Sequence, residues 1–171
     1  DISSSHREIQ ALVDQLQARY ALIDDGEVAT YIPELTKANP DEFGVSLVTA
    51  SGRVFESGDC DRLFTIQSIS KPFVFGMALE ECGPERVFQR VDVEPSGDAF
   101  NAIELQGETN RPHNPMVNAG AITVTALLHA QHGRCAFDHL LERFSTLAGR
   151  PLQMDAAVYG SERATGHRNR A

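Results

Sequence analysis

Gln67-Ser68-Ile69-Ser70-Lys71-Pro72-Phe73-Val74-Phe75-Gly76-Met77-Ala78-Leu79 decides how this chain is read. A serine and a lysine stand three residues apart where an apolar helix is expected to begin. Residues i and i+3 share one helix face, about 5–6 Å apart at Cβ. An amine held that close to a hydroxyl can take its proton and turn it into a nucleophile. Ser68 is therefore the candidate nucleophile, Lys71 its candidate general base, and acyl-transfer hydrolysis the candidate chemistry. The tetrapeptide is short, and chance supplies Ser-x-x-Lys in many chains. A serine at a helix start is ordinarily a cap, and a lysine nearby is ordinarily solvated. Two facts weigh against that ordinary reading. Lys37 and Lys71 are the chain's only lysines, and Lys71 sits between Phe64-Thr65-Ile66 and a long apolar run. Such surroundings desolvate the ammonium and favour the neutral amine that a base must be. Pro72 suits the first helical turn, where its missing N–H costs nothing. Cys82-Gly83-Pro84 supplies the stop. Ser70 would point about 160–200° away from Ser68 on a helix of 3.6 residues per turn, so it is not favoured as the nucleophile.

The 171 residues suffice for one domain with a real core, or for part of a larger one. Their net charge of −9 and sequence pI near 5.1 argue against a nucleic-acid or anionic-membrane partner, which would want a basic face. The basic stretch from Arg163 to Arg170 is too short to reverse this. Cys60, Cys82 and Cys135 form no close pair and have no metal-ligand spacing. They read as reduced thiols of a cytoplasmic protein. No apolar stretch is long enough to span a membrane, and the first residues lack a signal-peptide pattern. The first residue is not Met, from which a trimmed start is expected.

Working outward from the Ser68 segment, Phe43 to Thr49 and Arg53 to Gly58 flank Ala50-Ser51-Gly52 and predict a hairpin. Leu63 to Ile66 predicts a third, short strand. Upstream, Ser5 and Glu8 form a capping box, and Ile9, Leu12, Val13, Leu16 and Tyr20 give an amphipathic helix over about 6–20. Downstream, Pro84 to Phe88 predicts a short helix, and Val93 to Pro115 a long structured loop of the kind that is functional or tightly packed. Ala119 to Gln131 predicts a buried helix. Phe137, Leu140, Leu141, Phe144 and Leu147 mark another, ended by Gly149-Arg150-Pro151, and a last helix starts near Ala156. One hairpin does not stand alone, so further strands are expected beyond Ala171. No internal repeat or linker interrupts the chain, which is read as a single incomplete domain over 1–171.

Together these pieces resemble the N-terminal half of the serine-dependent, β-lactamase-like glutaminases. The resemblance rests on Gln67-Ser68-x-x-Lys71-Pro72, on Glu94-Pro95-Ser96-Gly97-Asp98-x-Phe100-Asn101, on Pro112-His113-Asn114-Pro115-Met116-Val117-Asn118-Ala119-Gly120-Ala121-Ile122, and on Ser161-Glu162-Arg163 leading to Arg168-Asn169. It covers the chain from Tyr31-Ile32-Pro33-Glu34-Leu35 to Asn169, and the order and spacing of its motifs are highly specific. It implies an α+β fold like that of serine β-lactamases and penicillin-binding proteins, with helices flanking an antiparallel sheet, here cut short. It implies hydrolysis of L-glutamine to L-glutamate and ammonia, with Ser68 as nucleophile and Lys71 as base. Tyr31, Gln67, Ser68, Asn118, Glu162 and Asn169 become the substrate-binding set. It implies no cofactor and no metal, and a homo-oligomer, dimer or tetramer.

The chemistry suits those residue types. An α-ammonium wants a carboxylate such as Glu162, and a primary amide wants a partner that both donates and accepts, as Asn118 does. The Ser68 N–H at a helix start is a natural oxyanion donor. Each residue also has a plainer reading. Asn118 would cap the next helix, Glu162 would pair with Arg163 at the surface, and Tyr31 would pack in the core. Glu94 to Gly97 is read as a structural loop and His113 as loop packing. His129 and His132, at i and i+3, have a spacing metals use but no evident third ligand, so they are read as surface or core histidines. Family members continue past Ala171 with further strands, pocket tyrosines, a Lys-Ser-Gly-type strand and a second oxyanion donor. The 171 residues alone are therefore expected to lack normal catalysis. Two alternatives stay open: another Ser-x-x-Lys hydrolase acting on β-lactams, D-amino peptides or esters, and an inactive half-domain serving assembly or regulation.

Overall fold

The computed structural model describes residues 2–97, 99 and 105–166. The chain divides into two compact units, one of residues 1–64 and 160–165, the other of 65–159 and 166–171.

In the first unit helix α1 (Ile2–Tyr20) packs on an antiparallel hairpin of β1 (Gly44–Val48) and β2 (Val54–Gly58). The register pairs Gly44 with Gly58 and Val48 with Val54. Both strands fall where the β-branched alternation predicts them. Val13 from the helix and Phe55 from the hairpin are buried. Gln10 Nε2 donates to the Glu56 carbonyl at 2.9 Å, and Arg53 Nη1 donates to His6 Nδ1 at 2.8 Å. A lone hairpin is marginal in water, and packing against a helix is the usual remedy. Two expectations are corrected here. The helix begins at Ile2, so Ser5 lies inside it rather than capping it. Leu63 to Ile66 forms no strand: its backbone finds no partner strand among the described residues, and Leu63 and Phe64 are both 80% exposed.

The second unit is helical. It holds α2 (Ser70–Cys82), α3 (Pro84–Phe88), α4 (Asn118–His132) and α5 (Ala136–Ala148). Its core joins Val74, Met77 and Ala78 of α2 to Val124, Leu127 and Leu128 of α4, with Val87 and Val91 closing one side. Fully burying an aliphatic side chain of this size contributes about 1.5–3 kcal/mol. Phe144 of α5 meets Phe73 of α2 edge to face, with ring centroids 6.1 Å apart. Gly149, at φ +65°, ends α5 in the left-handed conformation that glycine adopts without cost. A last helix, α6 (Ala156–Thr165), starts where the sequence predicts it.

The described stretches on either side of the long connection between α3 and α4 are fastened to each other. Asp92 N–H donates to the Pro112 carbonyl and Glu94 N–H to the His113 carbonyl, each at 3.0 Å. Arg111 donates to the Phe88 carbonyl at 2.7 Å and to Asp92 Oδ2 at 3.2 Å. Asn114 Nδ2 donates to the Glu94 carbonyl, while its Oδ1 accepts from the Met116 and Val117 N–H groups. Asn114 thus supplies the turn that launches α4.

That turn presses on Gly120. A Cβ built there would lie 1.9 Å from the Asn114 carbonyl oxygen and 2.9 Å from Pro115 Cα, both backbone atoms that cannot swing aside. Gly120→Ala should therefore lower stability by about 1–3 kcal/mol, instead of raising it by the roughly 0.5–1 kcal/mol usual for this change in a helix interior. Urea unfolding midpoints of the two proteins test this, and an unchanged or higher midpoint for Gly120→Ala contradicts the close approach.

Candidate active site

Ser68 lies in a single 3-10 turn, Gln67–Ile69, that runs directly into α2. The predicted helix start is thus split: a tighter turn carries the serine, and the α-helix proper begins at Ser70. Gln67 holds φ +45°, in the left-handed region that residues with a Cβ ordinarily avoid. Strain of this kind costs about 1–3 kcal/mol and persists only where neighbours over-determine it. Here the neighbour is Ser70, whose hydroxyl donates to the Gln67 carbonyl at 2.7 Å. Gln67 Nε2 in turn donates to Thr65 Oγ1 at 3.2 Å. Ser70 is committed to holding the turn, in keeping with its rejection as nucleophile. Ser68 itself is exposed.

Lys71 follows on the first turn of α2, half-buried. Its Nζ donates to Asn118 Oδ1 at 2.7 Å and to the Met116 carbonyl at 2.9 Å. Burial pushes the Lys71 pKa below the ordinary lysine value. Among the described residues no hydrogen bond joins Ser68 to Lys71. The amine reaches instead to the N-terminus of α4, 47 positions along the chain from itself.

Asn118 does not cap α4. Val117 occupies the cap position with extended backbone, and Asn118 is the first helical residue, its side-chain oxygen turned to Lys71. The plain capping reading is thereby corrected. Just before the helix, Asn114 accepts from the Met116 and Val117 N–H groups and shapes the turn. Gln67, Ser68, Lys71 and Asn118 all lie in the helical unit.

Tyr31 and Glu162 belong to the other unit. Tyr31 is 61% exposed, and it is Ile32 that enters the core. The reading of Tyr31 as a packing residue is corrected accordingly. A 3-10 helix, Pro33–Lys37, follows it, and Glu34 N–H donates to Ser161 Oγ at 3.2 Å. This bond ties the segment that carries Tyr31 to the helix that carries Glu162. Asn169 lies outside the described residues. The sequence missed the Met116 carbonyl as a partner of Lys71, because backbone acceptors leave no mark in a side-chain pattern.

Residues 26–171 match the family model described as Glutaminase. A glutaminase of Nostoc sp. is 49% identical over 160 residues, which cover 94% of this chain and 48% of that protein. A solved crystal structure of Mglu in its native form aligns with a TM-score of 0.85 at 42% identity, over 94% of this chain and 39% of the other. A probable glutaminase from Bacillus subtilis, solved in complex with 6-diazo-5-oxo-L-norleucine, aligns with a TM-score of 0.79 at 33% identity, over 94% and 48%. The chain spans about half the length of the curated relatives it matches.

The lysine contact is open to a direct test. Asn118 Oδ1 favours the charged form of Lys71, because it accepts from the ammonium. Asn118→Ala should therefore lower the Lys71 pKa further. A lysine-selective NMR titration reads this cleanly, since Lys37 is the only other lysine and serves as the internal reference. A Lys71 titration that Asn118→Ala leaves unmoved would show that the contact has no electrostatic weight.

Proposed function

The chain belongs to the glutaminase family, and on that premise we propose that it forms part of an enzyme hydrolysing L-glutamine to L-glutamate and ammonia through a glutamyl-serine intermediate. The observation that carries the reading is the seat of Lys71. Its Nζ is held by Asn118 Oδ1 and the Met116 carbonyl, one turn beyond an exposed serine. A neutral amine has two N–H bonds and one lone pair. A base uses that lone pair, and the two acceptors position the nitrogen that carries it. Burial favours the neutral form.

In the proposed sequence Lys71 takes the Ser68 hydroxyl proton as Oγ attacks the side-chain carbonyl carbon of glutamine. The oxygen that gains charge is met by the Ser68 N–H, from a turn whose geometry the Gln67–Ser70 bond enforces. Collapse of the tetrahedral species breaks the C–N bond, and Lys71 returns its proton to the departing nitrogen, which leaves as ammonia. A water then gives Lys71 a proton and attacks the ester. Glutamate leaves and Ser68 regains its hydrogen. Glu162 suits the α-ammonium of the substrate by charge. Tyr31, Gln67, Asn118 and Asn169 complete the proposed binding set by donating to or accepting from its polar groups.

Glutamate release from L-glutamine, followed with the whole protein, tests this. Ser68→Ala should abolish it, and Lys71→Ala should lower it by the roughly 10²–10⁴-fold typical of a lost general base. The wild-type rate should rise with pH along a limb that ends below the ordinary lysine value, because burial lowers Lys71. Full activity in folded Ser68→Ala would sink the reading.

A further inference from the structure

At the far end of the helices that carry Lys71 and Asn118, three side chains meet that the proposed chemistry does not use. Glu81 of α2, His132 of α4 and His139 of α5 come from three different helices. The Glu81 carboxylate accepts from both histidines at once, from His132 Nε2 at 2.6 Å on Oε2 and from His139 Nε2 at 2.8 Å on Oε1. The two imidazoles stack with centroids 4.0 Å apart and planes 20° from parallel. The side chains are 14%, 24% and 28% exposed, so the cluster is sheltered yet reachable from solvent. Burial raises the Glu81 pKa, but hydrogen bonds and charge from His139 and His132 together outweigh it and hold the carboxyl below the ordinary glutamate value.

We propose that Glu81, His132 and His139 bind one zinc-like divalent metal ion that clamps α2, α4 and α5 together. Two imidazole nitrogens and one carboxylate oxygen form a donor set that suits zinc and its borderline neighbours, with a fourth position for water. Magnesium and calcium prefer all-oxygen sites. The three ligand atoms already lie within 4.8 Å of one another. A tetrahedral site with bonds of about 2.0–2.1 Å asks for roughly 3.3 Å between ligand atoms. Side-chain rotation that opens the ring stack supplies the difference. On binding, each neutral imidazole shifts its proton from Nε2 to Nδ1 and gives the Nε2 lone pair to the ion. An imidazolium instead releases one proton to solvent.

The surroundings already favour closure. Gln131 Nε2 donates to the Glu81 carbonyl at 3.3 Å, and Arg143 of α5 pairs with Glu80. His129 is not part of the cluster, and its Nδ1 lies 2.9 Å from the Gly133 carbonyl oxygen. The i, i+3 pairing of His129 with His132 suggested by spacing is thus replaced by a pairing of His132 with His139. The clamp would stiffen the frame in which α2 and α4 bring Lys71 to Asn118.

The test begins with protein treated with EDTA and then titrated with zinc, followed by calorimetry and by NMR of the histidine rings. One equivalent should bind and shift the ring signals of His132 and His139. At zinc about 100-fold above the dissociation constant, the melting temperature should rise by about 5–10 °C. His139→Gln and Glu81→Gln should each lose both effects, whereas His129→Gln keeps them. Absence of zinc binding overturns the proposal. So does binding that His139→Gln leaves unchanged, or that shifts only other histidine rings. The ring signals are read on the unmutated protein, so a variant that fails to fold does not remove the test.

Discussion

The candidate site depends on the packing of α2 against α4. Ala78, Val74 and Met77 on one helix meet Val124, Leu127 and Leu128 on the other. That apolar seam sets the two helices at a separation at which Lys71 Nζ spans to Asn118 Oδ1 and the Met116 carbonyl. The polar contact is a consequence of the apolar one: without the seam the amine would be solvated and ordinary. With it, the amine is half-buried, held by acceptors, and lowered in pKa by desolvation. Gly120 shows how close the tolerance is, since one added carbon would collide with the turn that orients Asn118.

Local strain complements this rigidity. Gln67 adopts a backbone angle that its side chain disfavours, and the Ser70 hydroxyl keeps it there. The serine of the motif therefore sits on a tight turn that feeds a helix, not within the helix. Such a turn exposes the hydroxyl while leaving the next residues to pack. The second serine, which looks redundant as a nucleophile, has a positioning task in its own right.

The fold was largely legible in the sequence. Alternating β-branched residues around Ala50-Ser51-Gly52 predict the hairpin, and helical spacing around Leu140 and Phe144 predicts α5. The third strand predicted at Leu63 to Ile66 was not, because strand propensity describes a residue's fit to a sheet and does not supply a neighbouring strand. In the site, Ser68 and Lys71 were readable because they are neighbours in the chain, and Asn118 was reached through the motifs of the family. The plainer readings of Asn118 as a cap and Tyr31 as core failed for a shared reason. Each depended on what a neighbour was doing: Val117 had taken the cap position, and Ile32 had taken the core.

The sequence by itself determined the hairpin, most of the helices, their order and the family, and it set one serine and one lysine three positions apart. These follow from interactions between residues a few positions apart, which leave periodic traces along the chain. Tertiary structure alone decided which distant groups meet. Lys71 finds Asn118 across 47 positions, and Glu81 finds His132 and His139 across 51 and 58. Contacts of that range are set by how apolar helix faces dock, and no local pattern encodes which polar side chains the docking will bring together.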